Sequence, residues 1–301
     1  MLPVTEKRNS SSQQIDSMST REILTLINNE DKKVADAVEK CLPDITVAVD
    51  MIADHVQKGG RLLYFGAGTS GRLGVLDASE CVPTFGVSPD KIIGTIAGGD
   101  RALRTSVENA EDSADLGVSD LLKLNPDPND IVVGISAGGN ARYVLAVLEH
   151  ARKQSISTIG ISSNPDAALK SVSDVFINPI VGAEILTGSS RMKSGTAQKM
   201  ILNMLSTATM IKIGKTYENL MIDVGIMNEK LYARACRIIC DITHVSESDA
   251  KQALAAAQSA LNDQTRGVPV AVVMCAKKCS AETALTLLSE NDNRVSRVLS
   301  R

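Results

Sequence analysis

The sequence predicts an α/β protein: a doubly wound parallel sheet covered by helices on both faces, with helices before it and a small helical domain after it. Three observations carry this. Short apolar runs at Leu62–Phe65, Lys91–Ala97, Ile131–Ile135 and Thr158–Ile161 are each closed by a glycine- or hydroxyl-rich turn, as buried strands are. Helix-period segments separate them, and that alternation returns each strand parallel to the last. From about Asp223 the strand pattern stops and the chain reads as helix after helix. The 301 residues allow one large core and a small appendage. We divide them into an arm with helices over 1–44, the α/β domain over 45–244, and a helical domain over 245–301.

In chain order, residues 1–18 read as a flexible or draped arm. Ser19-Thr20-Arg21-Glu22 is a capping box, with the Ser19 hydroxyl and the Glu22 carboxylate serving each other's amides. It opens a helix to about Asn28, and a second runs from about Asp31 to Cys41. Pro43 suits the first turn of a third, which Gly59-Gly60 stops. Leu62–Phe65 is the first strand. Its turn, Gly66-Ala67-Gly68-Thr69-Ser70-Gly71, leads into a helix ending near Glu80.

After the second strand, Gly98-Gly99-Asp100 is a turn, and the acidic cluster 108–112 precedes a helix to about Leu122. Acidic residues there also suit the helix dipole with no further role. Ile131–Ile135 ends in Ser136-Ala137-Gly138-Gly139-Asn140, followed by a helix over Ala141–Gln154. A fourth strand ends at Ser162-Ser163-Asn164-Pro165, and Val175–Ile177 is a short fifth. Gly182–Lys199 opens a long apolar helix to about Gly214. Asp223 to about His244 reads as one long helix. Ser246-Glu247-Ser248-Asp249 caps the next, and Val268–Lys278 and Ser280–Ser289 give two more.

Composition excludes several function classes. Net charge is −3, aromatics are 2 % and Trp is absent. Neither phosphate neutralisation nor base stacking is provided for, so no nucleic-acid partner is expected. No apolar run approaches the ~20 residues of a membrane span, and Met1–Ser19 lacks the apolar stretch of a signal peptide. The expected setting is the cytoplasm, with no membrane partner. The six cysteines are then thiols. Cys236/Cys240 and Cys275/Cys279 share helix faces at a spacing of four. Zinc is the alternative, but small core residues fit better, and no metal is expected. His55, His150 and His244 fall in predicted helices away from the glycine turns, which leaves proton transfer to carboxylates.

The chemistry converges on the turns that follow strands. A strand, a glycine turn and a helix N-terminus make an anion site, because glycine admits close backbone approach and the helix start offers unpaired amides. Gly68, Thr69 and Ser70 form one such turn; Ser136, Gly138, Gly139 and Asn140 form the second. The first is no Walker loop, since it ends Ser-Gly-Arg. It is no dinucleotide fingerprint either, because no acidic strand end follows at the usual offset and Asp77 comes too early. A tight turn holding no ligand remains the plain alternative. A third segment gathers Ser189, Ser190, Arg191 and Lys193 at a helix start, which suits an anion. Ligands of open parallel sheets lie beyond the strand C-termini where strand order reverses, and both glycine turns belong there.

These motifs also carry a resemblance. Gly182-Ala183-Glu184 through Gly188-Ser189-Ser190-Arg191-Met192-Lys193 resembles the signature shared by N-acetylmuramic acid 6-phosphate etherases and the glucokinase regulatory protein. Gly66–Arg72, Asp77-Ala78-Ser79-Glu80-Cys81, Thr5-Glu6-x-Arg8-Asn9, Ile15-Asp16, Ala110-Glu111-Asp112 and Asn219-Leu220-Met221-x-Asp223-Val224 resemble the etherase pattern. The resemblance spans essentially the whole chain. It implies a sugar isomerase (SIS) fold of flavodoxin-like type and a homodimer with pockets near the subunit interface. It also implies cleavage of the D-lactyl ether of N-acetylmuramic acid 6-phosphate in cell-wall amino sugar recycling, without a cofactor. Glu80 and Glu111 match the family's catalytic glutamates, and Glu184 is a reserve candidate. One departure stands out: where the family has Ser-Gly-Arg-Thr-Pro, this chain has Gly138-Gly139-Asn140-Ala141-Arg142, so two hydroxyls are missing. The amides of Gly138 and Gly139, and Arg142, are the available substitutes. A smaller departure is Val82-Pro83 in place of two prolines. A non-catalytic sugar-phosphate regulator is the alternative, and a sugar-phosphate isomerase is a third reading that the lack of a loop histidine weakens. Retention of both glutamates favours the enzyme.

Overall fold

The computed structural model describes residues 4–299, and the chain folds as two compact units. The first runs up to Ser79 and resumes over Pro89–Ala208; the second comprises Glu80–Ser88 and the chain from Thr209 onward. Five parallel strands form one sheet: β1 (Leu62–Gly66), β2 (Ile92–Ile96), β3 (Ile131–Ile135), β4 (Ser157–Ile161) and β5 (Val175–Ile177), in the order β2-β1-β3-β4-β5. This is the doubly wound order, and its reversal falls between β1 and β3. Gly66 is in register with Ile135 across that pair, so the turns leaving the two strands start side by side. β1 and β3 are buried throughout, which explains their unbroken apolar runs.

The helices are α1 (Thr20–Glu39), α2 (Leu42–Gln57), α3 (Gly68–Phe85), α4 (Asp100–Arg104), α5 (Ala114–Lys123), α6 (Arg142–Lys153), α7 (Lys193–Lys212), α8 (Glu229–Thr243), α9 (Glu247–Leu261), α10 (Val268–Lys277), α11 (Ala281–Glu290) and α12 (Val295–Val298). None is long and apolar enough to cross a membrane among the described residues. Leu63, Phe65 and Val132 pack with Leu121 of α5 and Tyr143, Val144, Val147 and Leu148 of α6. The second unit has its own core, with Ile238 and Ile239 of α8, Leu254 of α9 and Val270–Val273 of α10. Cys236 is buried in it, while Cys240, Cys275 and Cys279 are partly buried around it.

The Ser19–Glu22 capping box is present. Three boundaries differ from the sequence expectation. The expected break near residues 28–31 is absent and α1 is continuous, because Glu30 turns inward and is 4 % exposed. It meets Lys193 at 2.6 Å and Lys33 as ionic partners. α3 does not stop at Glu80 but reaches Phe85 through Pro83. Pro83 is exposed, and so is Ser79, whose carbonyl loses its amide partner to the proline. α8 starts at Glu229 rather than Asp223: Asn228 Oδ1 accepts from the Leu231 amide at 3.0 Å, while Asp223 pairs with Lys215 at 2.6 Å. The arm is not loose either. Thr5 is 2 % exposed, and the Ser12 hydroxyl donates to the Ile185 carbonyl at 2.6 Å.

The turn from β1 into α3 is closed backbone against backbone. A Cβ on Gly66 would lie 2.6 Å from the Gly71 nitrogen, and one on Gly71 would lie 2.6 Å from the Gly66 oxygen. Backbone meets backbone with no room for a methyl group. Gly71→Ala is therefore expected to destabilise the protein by about 2 kcal/mol or more, read as a lowered midpoint in thermal or urea unfolding. An unchanged midpoint would contradict this packing.

Candidate functional site

α3 opens at Gly68, directly beyond the buried end of β1. Its first intrahelical bond in this region is from the Gly71 amide to the Ala67 carbonyl, at 3.3 Å. The amides of Gly68, Thr69 and Ser70 precede it and are the unpaired donors of the helix start. They border a cavity of about 210 Å³ lined by Gly68, Thr69, Ser70, Ser136, Gly138, Ser190 and Glu111, among others. No lysine or arginine is among the residues lining it. An anion here would be held by helix amides, the helix dipole and neutral hydroxyls. Ser136 Oγ accepts from the Gly139 amide at 3.1 Å, which leaves its own hydrogen for a ligand. The Ser70 hydroxyl donates to Gln198 Oε1 at 3.0 Å. Gln198 is 1 % exposed, and its Nε2 has no hydrogen-bond partner among the described residues. With that amide turned over, Nε2 would donate to Ser70, and the Ser70 hydrogen would face the cavity instead.

Glu111 reaches the cavity from the loop before α5. Ser113 caps α5 by accepting from the Leu116 amide at 3.2 Å, so the acidic residues ahead of it are not needed as caps. The Glu111 carbonyl accepts from the Tyr143 amide at 3.0 Å, which anchors its backbone to the start of α6. Its carboxyl pKa is raised, first by desolvation and then by the adjacent Asp112 carboxylate. A bound phosphate would raise it further by like-charge repulsion. A second cavity, of about 190 Å³, shares Ala67, Gly68 and Glu111 with the first and extends to Arg72, Ser106 and Val107. Glu111 thus stands where the two meet, in reach of whatever extends from one to the other.

Comparison with known proteins gives this arrangement its family. The N-terminal SIS domain of the glucokinase regulatory protein matches residues 44–152, a general SIS domain matches 111–208, and the C-terminal lid domain of glucokinase regulatory protein matches 218–260. An N-acetylmuramic acid 6-phosphate etherase of Glaesserella parasuis is 51 % identical over 98 % of this chain and 94 % of its own length. One from Escherichia coli K12 is 49 % identical over 99 % of this chain and 98 % of its own length. The chain belongs to the N-acetylmuramic acid 6-phosphate etherase family. Among solved structures, a phosphoheptose isomerase from Neisseria gonorrhoeae aligns with a TM-score of 0.50 at 17 % identity, covering 64 % of this chain and 98 % of that one; this likeness concerns the fold.

In this etherase-family chain, the sequence-selected residues separate into groups. Gly68, Thr69, Ser70, Ser136, Gly138, Ser190 and Glu111 come together at the cavity. Gly139 and Asn140 do not line it. The Gly139 amide is spent on Ser136, and Asn140 Oδ1 accepts from the Ala168 amide at 3.1 Å. Ser189 and Arg191 do not line it either, and Arg191 is exposed. Glu184 is fully buried and caps α7, accepting from the Lys193 amide at 3.0 Å and from the Ser194 amide and hydroxyl at 2.9 Å each. Lys193 is also buried and is held by Glu30. Glu80 is exposed on α3, three turns beyond Gly68. His55 is a structural link, with Nδ1 2.8 Å from the Asn129 carbonyl and Nε2 3.2 Å from the Ser157 hydroxyl.

Three supporting residues were given no site role in the sequence reading. Asp77, 5 % exposed, accepts from Tyr64 (3.0 Å), Asn203 (2.8 Å) and Ser206 (3.1 Å), tying α3 to β1 and α7. Its pKa is raised, with desolvation outweighing those hydrogen bonds. The signal was available: a carboxylate within the apolar run Leu73–Ala78 of α3. Gln198 fixes Ser70, and Arg72 donates to the carbonyls of Ala102 and Leu103 on α4. Arg72 lay in the Gly66–Arg72 motif, and Gln198 carried no sequence signal.

Because Asp112 contributes to the raised pKa of Glu111, Asp112→Asn is expected to lower it. A base must be deprotonated, so activity falls as pH drops through its pKa. The acidic limb of kcat/KM in the Asp112→Asn variant should therefore move to lower pH. A limb that stays in place or moves upward would contradict the assignment.

Proposed function

We infer that the chain cleaves the D-lactyl ether of N-acetylmuramic acid 6-phosphate, giving N-acetylglucosamine 6-phosphate and D-lactate. It does so in the cytoplasm, in cell-wall amino sugar recycling, and acts as a homodimer. The observation that carries the reading is the placement of Glu111, a carboxyl with a raised pKa, in the same cavity as the helix amides and hydroxyls that suit a phosphate. Full-length similarity to curated etherases supports it. A regulator that only senses a sugar phosphate needs the cradle but no carboxylate of this kind.

An ether at C3 is a poor leaving group, so the sugar must first be activated. Ring opening exposes the C1 aldehyde, which acidifies the proton on C2. With the phosphate at the start of α3 and the sugar extended past Glu111 towards the second cavity, Glu111 takes the C2 proton. The C3–O bond breaks, and the lactyl oxygen leaves with a proton; Glu80 lines neither cavity of its own chain, so it is assigned that step at the cavity of the other copy in the homodimer. The resulting 2,3-unsaturated aldehyde then adds water: hydroxide joins C3 and a proton returns to C2. The sum is one ether plus one water giving one alcohol plus lactate. A carboxyl with a raised pKa is a stronger base than an ordinary carboxylate, which suits a group that must take and return protons.

The test is release of D-lactate from N-acetylmuramic acid 6-phosphate. Glu111→Gln and Glu80→Gln are each expected to lower kcat by about 10²–10⁴-fold while leaving substrate affinity within a few-fold. In D₂O the sugar product of the unmodified protein should carry deuterium at C2. Undiminished turnover in either variant would refute that residue's role, and absence of C2 deuterium would refute the elimination.

A further inference from the structure

Another cavity of the first unit lies away from the strand ends. It encloses about 560 Å³ between the N-terminal arm, α1 and the segment Ile180–Ala183, and among its walls are Arg8, Lys33, Lys40 and Lys193 against Glu30 and Asp36. Four cations face two carboxylates, so the lining carries an excess of two positive charges. Its floor is pre-organised. Glu30 accepts from Lys193 at 2.6 Å, from Lys33, and from Asn9 Nδ2 at 3.1 Å; Asn9 Nδ2 also donates to the Ala183 carbonyl at 3.1 Å. Burial alone would raise the Glu30 carboxyl, but the hydrogen bonds and charges of Lys193 and Lys33 override it and hold the pKa at about 2. Glu30 is therefore ionised at any working pH, and its charge is already committed.

What remains uncommitted is cationic. Lys193 is 2 % exposed, yet its ammonium has three hydrogens, and only the one to Glu30 has an acceptor among the described residues. Burying a charge with unfilled donors is costly, and an anion in the cavity would fill them. Gly182 faces the same ammonium: a Cβ there would lie 4.0 Å from Nζ, and its φ of +74° favours glycine. Arg8 and Lys40 at the rim are exposed and have no ion-pair partner among the described residues. Arginine's planar fork matches a phosphate with two parallel hydrogen bonds.

We propose that the cavity between the N-terminal arm, α1 and Ile180–Ala183 is a second anion site, binding a small phosphomonoester or inorganic phosphate through Arg8, Lys40 and the buried Lys193. The excess of two positive charges matches a phosphomonoester dianion better than a monocarboxylate. The site is separate from the one lined by Ser136 and Glu111. Both cavities are nevertheless built on one short stretch, with Gly182 and Lys193 on one wall and Ser190 on the other. Occupancy of the arm site is thereby linked to the position of Ser190.

Inorganic phosphate titrated into the full-length protein by calorimetry tests this, with D-lactate as a carboxylate control. The variants are Arg8→Gln/Lys40→Gln, which alters only exposed side chains, and Ser136→Ala at the other cavity. Two classes of phosphate site are expected. The double variant should weaken one class at least tenfold with its thermal midpoint unchanged, and Ser136→Ala should leave that class intact. D-lactate should bind the arm site at least tenfold more weakly than phosphate. Phosphate binding that is indifferent to Arg8→Gln/Lys40→Gln would overturn the site. Equal binding of D-lactate there would overturn the assignment to phosphate. Loss of the other class in unmodified protein would bear on the Ser136–Glu111 cavity alone.

Discussion

The close approach of Gly66 to Gly71 sets the geometry on which the site depends. With no side chain on either residue, α3 starts at the very end of β1 instead of after a loop. Its unpaired amides are therefore fixed at the point where strand order reverses, beside the turn that leaves β3. A loop between strand and helix would cost this register. Preorganisation of donors is what makes a helix start useful for a phosphate, because the donors need not be ordered on binding. The absence of lysine and arginine from that cavity has a further consequence. A phosphate held only by neutral donors keeps its full charge next to Glu111 and favours the protonated carboxyl.

The segment from Gly182 to Lys193 shows how buried charge organises a neighbouring site. Glu184 lies within hydrogen-bonding distance of the start of α7 and satisfies two of its amides. Lys193, one residue into the helix, reaches back to Glu30 on α1. These groups do not touch the Ser136–Glu111 cavity, but they fix both ends of the stretch that presents Ser190 to it. Removing one partner of such a buried pair leaves an uncompensated charge and costs about 3–5 kcal/mol. Charged residues in a motif thus serve here by holding the stretch that presents Ser190 to the cavity.

Much of the fold was legible in the sequence because strand and helix leave different periods. β1, β3 and β5 and the caps at Ser19 and Ser246 were found where the structure has them. The errors share a cause. Asn28–Asp31 looks like a polar break, but Glu30 is satisfied by Lys193, 163 residues away. Asp223 looks like a helix start, but its partner Lys215 lies upstream. Local sequence does not reveal such partners. The same holds for the site. Of the hydroxyls in the glycine turns, Thr69, Ser70 and Ser136 line the cavity. Lys193 and Glu184 carried the right chemistry in the right segment, and only their burial shows that they face elsewhere. Gly139 and Asn140 were misplaced because their hydrogen bonds close the turn itself.

In the proposed mode of binding, backbone amides at the start of α3 grip the phosphate while Glu111 faces the sugar. The most direct measurement is a crystal structure of the Glu111→Gln protein with N-acetylmuramic acid 6-phosphate bound. Phosphate oxygens are expected within hydrogen-bonding distance of the Gly68–Ser70 amides and the Ser136 hydroxyl, and C2 within about 3.5 Å of the side chain at position 111. A substrate whose phosphate sits elsewhere, with position 111 away from C2, would contradict it.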